Sequence, residues 1–322
     1  MKEISIDQLN GFTIGHDVNQ SGATGCTVIL SPKGAVAGVD VRGGAPGTRE
    51  TDLLRSENLV EQVHAVFFAG GSAFGLQAAG GVMHVLEEEG IGFNTDGGIV
   101  PIVPGAILYD LMTEKSAKPD ADMGRRAAQK ALIASSVQQG NIGAGIGAAV
   151  GKCLGMNYAM KGGFGHYAVQ IGDLQVGAAV VNSFGDIINP HTGERIAGAY
   201  DKKERRFLKT EELLIKQIHQ AKTNRFSNNT SLAAVMTNAK LQKAEANKLA
   251  SIAHDGFART MRPSHTLVDG DTIFMMSTNQ VRADLNSLSF LVTHVIEQAV
   301  INAVTSAESL GQLPAYKDIK KE

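Results

Sequence analysis

The residue pair with the most chemistry to offer is Asn229-Thr230, where the polar run Thr223–Asn229 meets the apolar segment Ser231–Thr237. A break in the chain there would leave Thr230 with a free α-amine beside its own hydroxyl, placing nucleophile and general base on one residue. An α-amine titrates near about 8 and accepts a proton close to neutral pH, whereas a lysine near about 10 first needs strong desolvation. An asparagine turn followed by a β-forming threonine accounts for the same pair, and spacing alone favours that plainer account.

Two glycine-rich stretches offer less. Gly70-Gly71-Ser72-Ala73-Phe74-Gly75 lies between an apolar run, His64–Ala69, and a helical pattern carried by Leu76, Ala79, Val82, Met83 and Leu86. Its backbone N–H groups suit an anion nest. It misses the nucleophile elbow G-x-S-x-G by one residue, because Phe74 holds the fifth position, and a serine capping a helix explains Ser72. The second string, Gly140, Gly143, Gly145, Gly147 and Gly151, leads to Lys152, but Cys153 follows where a phosphate loop needs Ser or Thr. The nine histidines show no metal-ligand spacing, and Cys26 and Cys153 stand far apart without a CxxC pair. No metal, organic cofactor, disulfide or zinc site is expected.

The elements that would position these residues follow from periodicity. Strands are expected at Thr27–Leu30 and Ala35–Val41, joined by a turn at Ser31-Pro32-Lys33-Gly34, and at His64–Ala69, Ile99–Val103, Leu174–Asn182, Ser231–Thr237 and Thr272–Ser277. Helices are expected at 76–90, Asp120–Ser136, Leu241–Arg259 and Ser287–Leu310. Residues 190–229, with the charge run Asp201–Arg206, have the composition of an exposed connection. Strands mixed with helices throughout indicate an α/β or α+β layered domain spanning 1–322.

Composition removes other classes. Of 322 residues, 43% are hydrophobic and 19% charged, enough apolar surface for a folded core. Thirty Lys and Arg against 32 Asp and Glu leave a net charge of -2, without the footprint that nucleic acid or an anionic membrane demands. The opening MKEISIDQLNGFTIGH lacks the apolar core of a secretory signal, and no apolar run of membrane-spanning length stands out, so a cytoplasmic protein is expected. The 37 glycines point to tight turns or close backbone approach.

Five segments carry a family resemblance: Gly25–Val28, the long string Val39-Asp40-Val41-Arg42-Gly43-Gly44-Ala45-Pro46-Gly47-Thr48-Arg49-Glu50-Thr51-Asp52, Ala69–Leu76, Lys161-Gly162-Gly163 and Asp269-Gly270-Asp271-Thr272. Together they resemble the DmpA-type peptidase family of N-terminal-nucleophile amide hydrolases, which includes β-aminopeptidases and the NylC nylon-oligomer hydrolases. The resemblance runs from about residue 8 to about residue 310. It implies a precursor that cuts itself between Asn229 and Thr230 into an α chain, 1–229, and a β chain, 230–322, held together in a four-layer αββα sandwich. Family members are commonly tetramers, and the same is expected here.

Within the family the sequence is closer to the NylC branch. Aminopeptidases carry Ser and Glu behind the nucleophile, where this chain has Asp269 and Asp271, and they hold the substrate's free amine with a Glu that is missing near Pro104-Gly105-Ala106. Matching positions assign Thr230 as nucleophile and Asp269 and Asp271 as its orienting or charge-stabilising pair. Lys152 becomes a positive charge that keeps the α-amine neutral. Asn182 becomes an oxyanion donor, and Tyr109 a hydroxyl that bonds the substrate carbonyl or leaving amine. The implied activity is endo-hydrolysis of linear aliphatic amides such as 6-aminohexanoate oligomers or of a peptide. The alternatives are an aminopeptidase, a D-amino-acid esterase or amidase, and, outside the family, a Ser72 esterase.

Overall fold

The computed structural model describes residues 1–111, 117–182, 184–218 and 230–319. Its main sheet has ten strands: β1 (Lys2–Ile4), β2 (Thr13–Asn19), β3 (Thr24–Val41), β4 (Thr48–Arg49), β5 (Gln62–Ala69), β6 (Gly105–Ile107), β7 (Phe164–Ile171), β8 (Leu174–Val181), β9 (Leu232–Ala239) and β10 (Thr272–Val281). They run in the order β1-β7-β8-β9-β10-β3-β5-β6-β4, with β2 added on β3. The helices are α1 (Ala78–Glu88), α2 (Ala121–Ile133), α3 (Thr210–Ile218), α4 (Lys243–Thr260), α5 (Leu285–Thr305) and the single-turn α6 (Tyr316–Ile319).

β3 explains how one sheet makes two layers. The sequence predicts two strands and a turn, yet Thr24–Val41 is a single strand of 18 residues. Leu30 faces Ala65 of β5 and Ala35 faces Val63, so residues 31–34 bulge past His64 alone. Pro32 and Gly34, at φ +82°, sit in that bulge rather than ending the strand. A bulge of this kind bends its strand, and β3 accordingly pairs β2 and β5 with its first half and β10 with its second.

Side-chain alternation then sorts residues into three stacked cores. Val28, Leu30 and Phe67 face α1 and α2. Ile29, Phe68, Ala234, Met236, Phe274 and Met276 fill the centre between the sheet halves. Ala233, Val235, Ile273 and Met275 face α4 and α5, against Phe257, Val292 and Ile296. This is the expected αββα layering. β9 and β10 are parallel and covered on both faces, which is why each reads as a continuous apolar run. Glycine lets the helices lie directly on the strands: at Gly165 of β7 a Cβ would stand 2.3 Å from the Ala299 carbonyl oxygen of α5.

Two expectations change. Of Ile99–Val103 only Ile99 and Val100 are strand, part of Gly98–Val100, which pairs with Phe93–Thr95 in a surface hairpin, and Pro101 ends it by lacking a ladder donor. The exposed connection expected at 190–229 is partly folded. Ile196, Ala197, Ala199, Tyr200 and Thr210 are buried. The buried Asp186 anchors them, its Oδ1 accepting from Ala199 N at 3.0 Å and Thr210 Oγ1 at 2.7 Å, and its Oδ2 from Thr210 N at 3.0 Å. Asn229 and the rest of 219–229 lie outside the described residues. Among the described helices, only α5 is long and apolar enough to cross a membrane, and most of it is packed in the core.

Candidate active site

Thr230 stands just ahead of β9, and the parallel register that sets Leu232 opposite Thr272 brings it beside Gly270. The pairing continues to its neighbour: Thr272 N donates to Ser231 O at 3.1 Å, and Ser231 N donates to Asp271 Oδ1 at 2.8 Å. A Cβ on Gly270 would lie 2.7 Å from Thr230 Oγ1, so glycine there is what admits the hydroxyl. The third wall is the Val39–Asp52 string. Arg42 N donates to Asp271 O at 3.0 Å and Ala45 N to Asp269 O at 2.7 Å, which sets Ala45 O and Pro46 against Gly270. Thr230 itself is buried.

Asp269 and Asp271 are both buried but not equivalent. Asp271 is saturated: Oδ1 holds Ser231 N, while Oδ2 accepts from His265 N and His265 Nδ1, both at 2.9 Å. Asp269 Oδ2 accepts from Thr266 N at 2.9 Å and Thr266 Oγ1 at 2.6 Å, leaving Oδ1 buried with no hydrogen-bond partner among the described residues. Burial, then the Asp271 charge, pushes the Asp269 carboxyl up to about 7, against the opposing pull of Thr266 and Lys152.

Lys152 is buried, and its Nζ likewise has no hydrogen-bond partner among the described residues. Burial draws its pKa down to about 7, against the opposing pull of the Asp269 and Asp110 charges. Asp110 completes this cluster: Oδ1 accepts from Gly71 N at 2.6 Å, and Oδ2 lies against Gly70 and Gly147, where no Cβ would fit. Burial raises its pKa to about 6, opposed by Thr24, Gly71 and Lys152. Nothing in the pattern around Tyr109-Asp110 marks this carboxylate, because its partners are backbone atoms distant in the chain.

Lys161 was also not legible as a site-building residue. Fully buried, it donates to the carbonyls of Gly145 at 3.0 Å, Ala148 at 2.9 Å and Gly162 at 2.7 Å. Within the glycine string leading to Lys152, the Gly145 carbonyl thus faces the Lys161 amine, the reverse of a phosphate cradle.

The remaining candidates are less directly placed. Asn182 is fully buried, with Oδ1 accepting from Gly163 N at 3.1 Å and Nδ2 donating to Val300 O at 3.2 Å. One of its two amide hydrogens is thus spent on α5. Tyr109 is half-buried next to Asp110. Among the described residues, neither has a hydrogen bond to another of the candidate residues. Ser72 does not cap a helix: it is the first residue of a 3-10 turn, at φ +53°, with Gly71 in the cap position. Its hydroxyl has no hydrogen bond to a histidine among the described residues. Both cysteines are free thiols.

The layered αββα architecture defines a class, and comparison with known proteins defines the family. Residues 5–314 match the model of Peptidase family S58, and the chain belongs to that family. It is similar to an uncharacterized aminopeptidase of Mycobacterium leprae, 38% identical over 97% of this chain and 93% of that protein. It is also similar to a 6-aminohexanoate-oligomer endohydrolase of Agromyces sp., 30% identical over 84% of this chain and 74% of that protein. Among solved structures, the L-aminopeptidase D-Ala-esterase/amidase of Ochrobactrum anthropi, described as a variant of the Ntn hydrolase fold, superposes with a TM-score of 0.68 at 18% identity, covering 98% of this chain and 92% of that one. A Burkholderia sp. β-aminopeptidase gives 0.63, also at 18%, over 98% and 93%. The fold is that of the Ntn hydrolases, and the chain is an amide or peptide hydrolase.

Proposed function

We propose that this chain is a self-processing hydrolase whose nucleophile is Thr230, acting on linear aliphatic amides. Supporting this reading, the buried Thr230 hydroxyl lies against Gly270, the chain neighbour of Asp269, and Asp269 in turn feels the charge of the buried Lys152; Asp269 Oδ1 and Lys152 Nζ have no hydrogen-bond partner among the described residues. Buried polar atoms without partners are costly and mark places where a ligand or a reacting group completes the bonding.

In maturation, Thr230 Oγ attacks the Asn229 carbonyl carbon, the Asn229–Thr230 C–N bond breaks, and the acyl group passes to oxygen as an ester. Water hydrolyses that ester, leaving the Asn229 carboxylate and a free Thr230 amine. In turnover the α-amine takes the proton from Oγ as it attacks the substrate carbonyl, and returns a proton to the leaving amine. Water then releases the acyl group. Asp269 in its ionised form orients the α-amine. A charged Lys152 favours that amine's neutral form and, with Asn182, stabilises the oxyanion. Asp271 holds Ser231, and Tyr109 bonds the substrate.

The Asp269 and Asp271 pair, in place of Ser and Glu, favours an endo-acting amidase of the 6-aminohexanoate-oligomer type. The likeness to named aminopeptidases keeps exo-cleavage as the second reading. Comparing 6-aminohexanoate trimer with its N-acetylated form, using Thr230→Ala as blank, separates them. Equal rates on both support endo-hydrolysis, and hydrolysis of the free trimer alone supports an aminopeptidase. Activity in the Thr230→Ala protein refutes the nucleophile. A homotetramer is proposed on the same family grounds, and a cytoplasmic location is proposed with it.

A further inference from the structure

We propose that His265 is a positioning residue, whose ring N–H locks Asp271 so that Asp271 in turn holds the backbone next to the nucleophile. It deepens the reading of Thr230 as nucleophile and rests on it. Asp271 Oδ2 receives two donors from this one residue, the backbone N and ring Nδ1, both at 2.9 Å, while Oδ1 receives Ser231 N at 2.8 Å. The two oxygens of a carboxylate turn together. A clamp on Oδ2 therefore fixes the direction in which Oδ1 meets Ser231, one residue from the hydroxyl that must attack.

The ring is braced from α4. It meets His254 edge-on, with centroids 4.7 Å apart at 72°, and lies 6.4 Å from Phe257. Burial holds His254 neutral, its pKa lowered to about 4, and His254 Nε2–H donates to Asp40 O of β3 at 3.0 Å. His265 also adopts φ +57°, a left-handed conformation that a non-glycine residue holds only when its surroundings demand it. The strain and the double donor serve the same end, a ring folded back on the carboxylate six residues ahead. Since Nδ1–H is committed to Asp271 and Nε2 is buried without a partner, the imidazole acts through Asp271.

The test uses two replacements in the full chain. His265→Asn tolerates the left-handed backbone and returns an N–H close to the position of Nδ1, whereas His265→Gly keeps the backbone and removes the donor. Since misplacing a reacting group by 1 Å costs about 10²-fold, the glycine variant should lose about 10- to 100-fold in kcat with KM changed less than about threefold, and should self-cleave more slowly. The asparagine variant should recover most of both rates. A glycine variant with wild-type kcat, or an asparagine variant as impaired as glycine, overturns the proposal. Should either variant fail to fold, ¹⁵N-histidine-labelled wild-type enzyme still decides. An Nδ1-protonated, hydrogen-bonded ring assigned to His265 is required, and a ring protonated only at Nε2 overturns it. Activity that survives Thr230→Ala instead defeats the underlying nucleophile and leaves the clamp's geometry intact, so the two failures are distinguishable.

Discussion

Replacing Gly270 by alanine probes the nucleophile with a single methyl group. The added Cβ would lie 2.7 Å from Thr230 Oγ1, about 0.7 Å inside the distance at which ordinary contact begins, and it has no room to retreat, with Ala45 O at 2.9 Å and Pro46 Cα at 3.2 Å. Gly270 is not in the left-handed region, so alanine brings no backbone strain of its own. The displacement falls on the hydroxyl. By the cost of about 10²-fold for a 1 Å misplacement, Gly270→Ala should slow self-cleavage and kcat by about 10- to 100-fold, equivalent to about 1.4–2.7 kcal/mol of barrier. Self-cleavage is followed by intact mass over time, turnover by amine release, and integrity by thermal melting. Wild-type rates in a protein that melts at the wild-type temperature would refute the placement of the reacting hydroxyl beside Gly270.

Other expectations follow from the same site. In Lys152→Met, Asp269 loses a neighbour that lowers its pKa, so the acid limb of kcat/KM should move above pH 7, and an unmoved limb contradicts the coupling. The Asp269 pKa is raised from 3.8 to about 7, so the folded state binds that proton more tightly than the unfolded chain; its contribution to stability is whole below about pH 4 and is lost as pH rises through 7. Asp269→Asn should therefore gain stability over wild type at pH 8 relative to pH 5 in denaturant titrations, and an equal difference at both pH values contradicts the shift. Asp186→Ala strands the buried donors Ala199 N, Thr210 N and Thr210 Oγ1, and should cost about 3 kcal/mol or more in unfolding free energy. A melting temperature within a degree of wild type would refute that anchor.

How much of this was legible depends on whether the information is local. β9, β10, α4 and α5 show in the sequence because continuous apolar runs and 3.6-residue periodicity are local signals. β3 was broken by Ser31-Pro32-Lys33-Gly34, which carries turn chemistry but is used as a bulge, something only the pairing with β5 reveals. Residues 195–210 read as exposed because Asp201–Arg206 dominates their composition, while the carboxylate that anchors them, Asp186, lies outside the segment. In the site, Thr230, Asp269 and Asp271 were found together, and the parallel register of β9 on β10 is why they meet. The burial of Lys152 and the work of Asp110, Lys161 and His265 were not legible, since each depends on backbone groups or rings remote in sequence.

N-terminal sequencing with intact mass on catalytically active enzyme bears most directly on the nucleophile. Two chains are predicted, one starting at Met1 and ending at Asn229, the other opening Thr-Ser-Leu-Ala from Thr230. Active enzyme consisting solely of the unbroken chain from Met1 to Glu322 would contradict it.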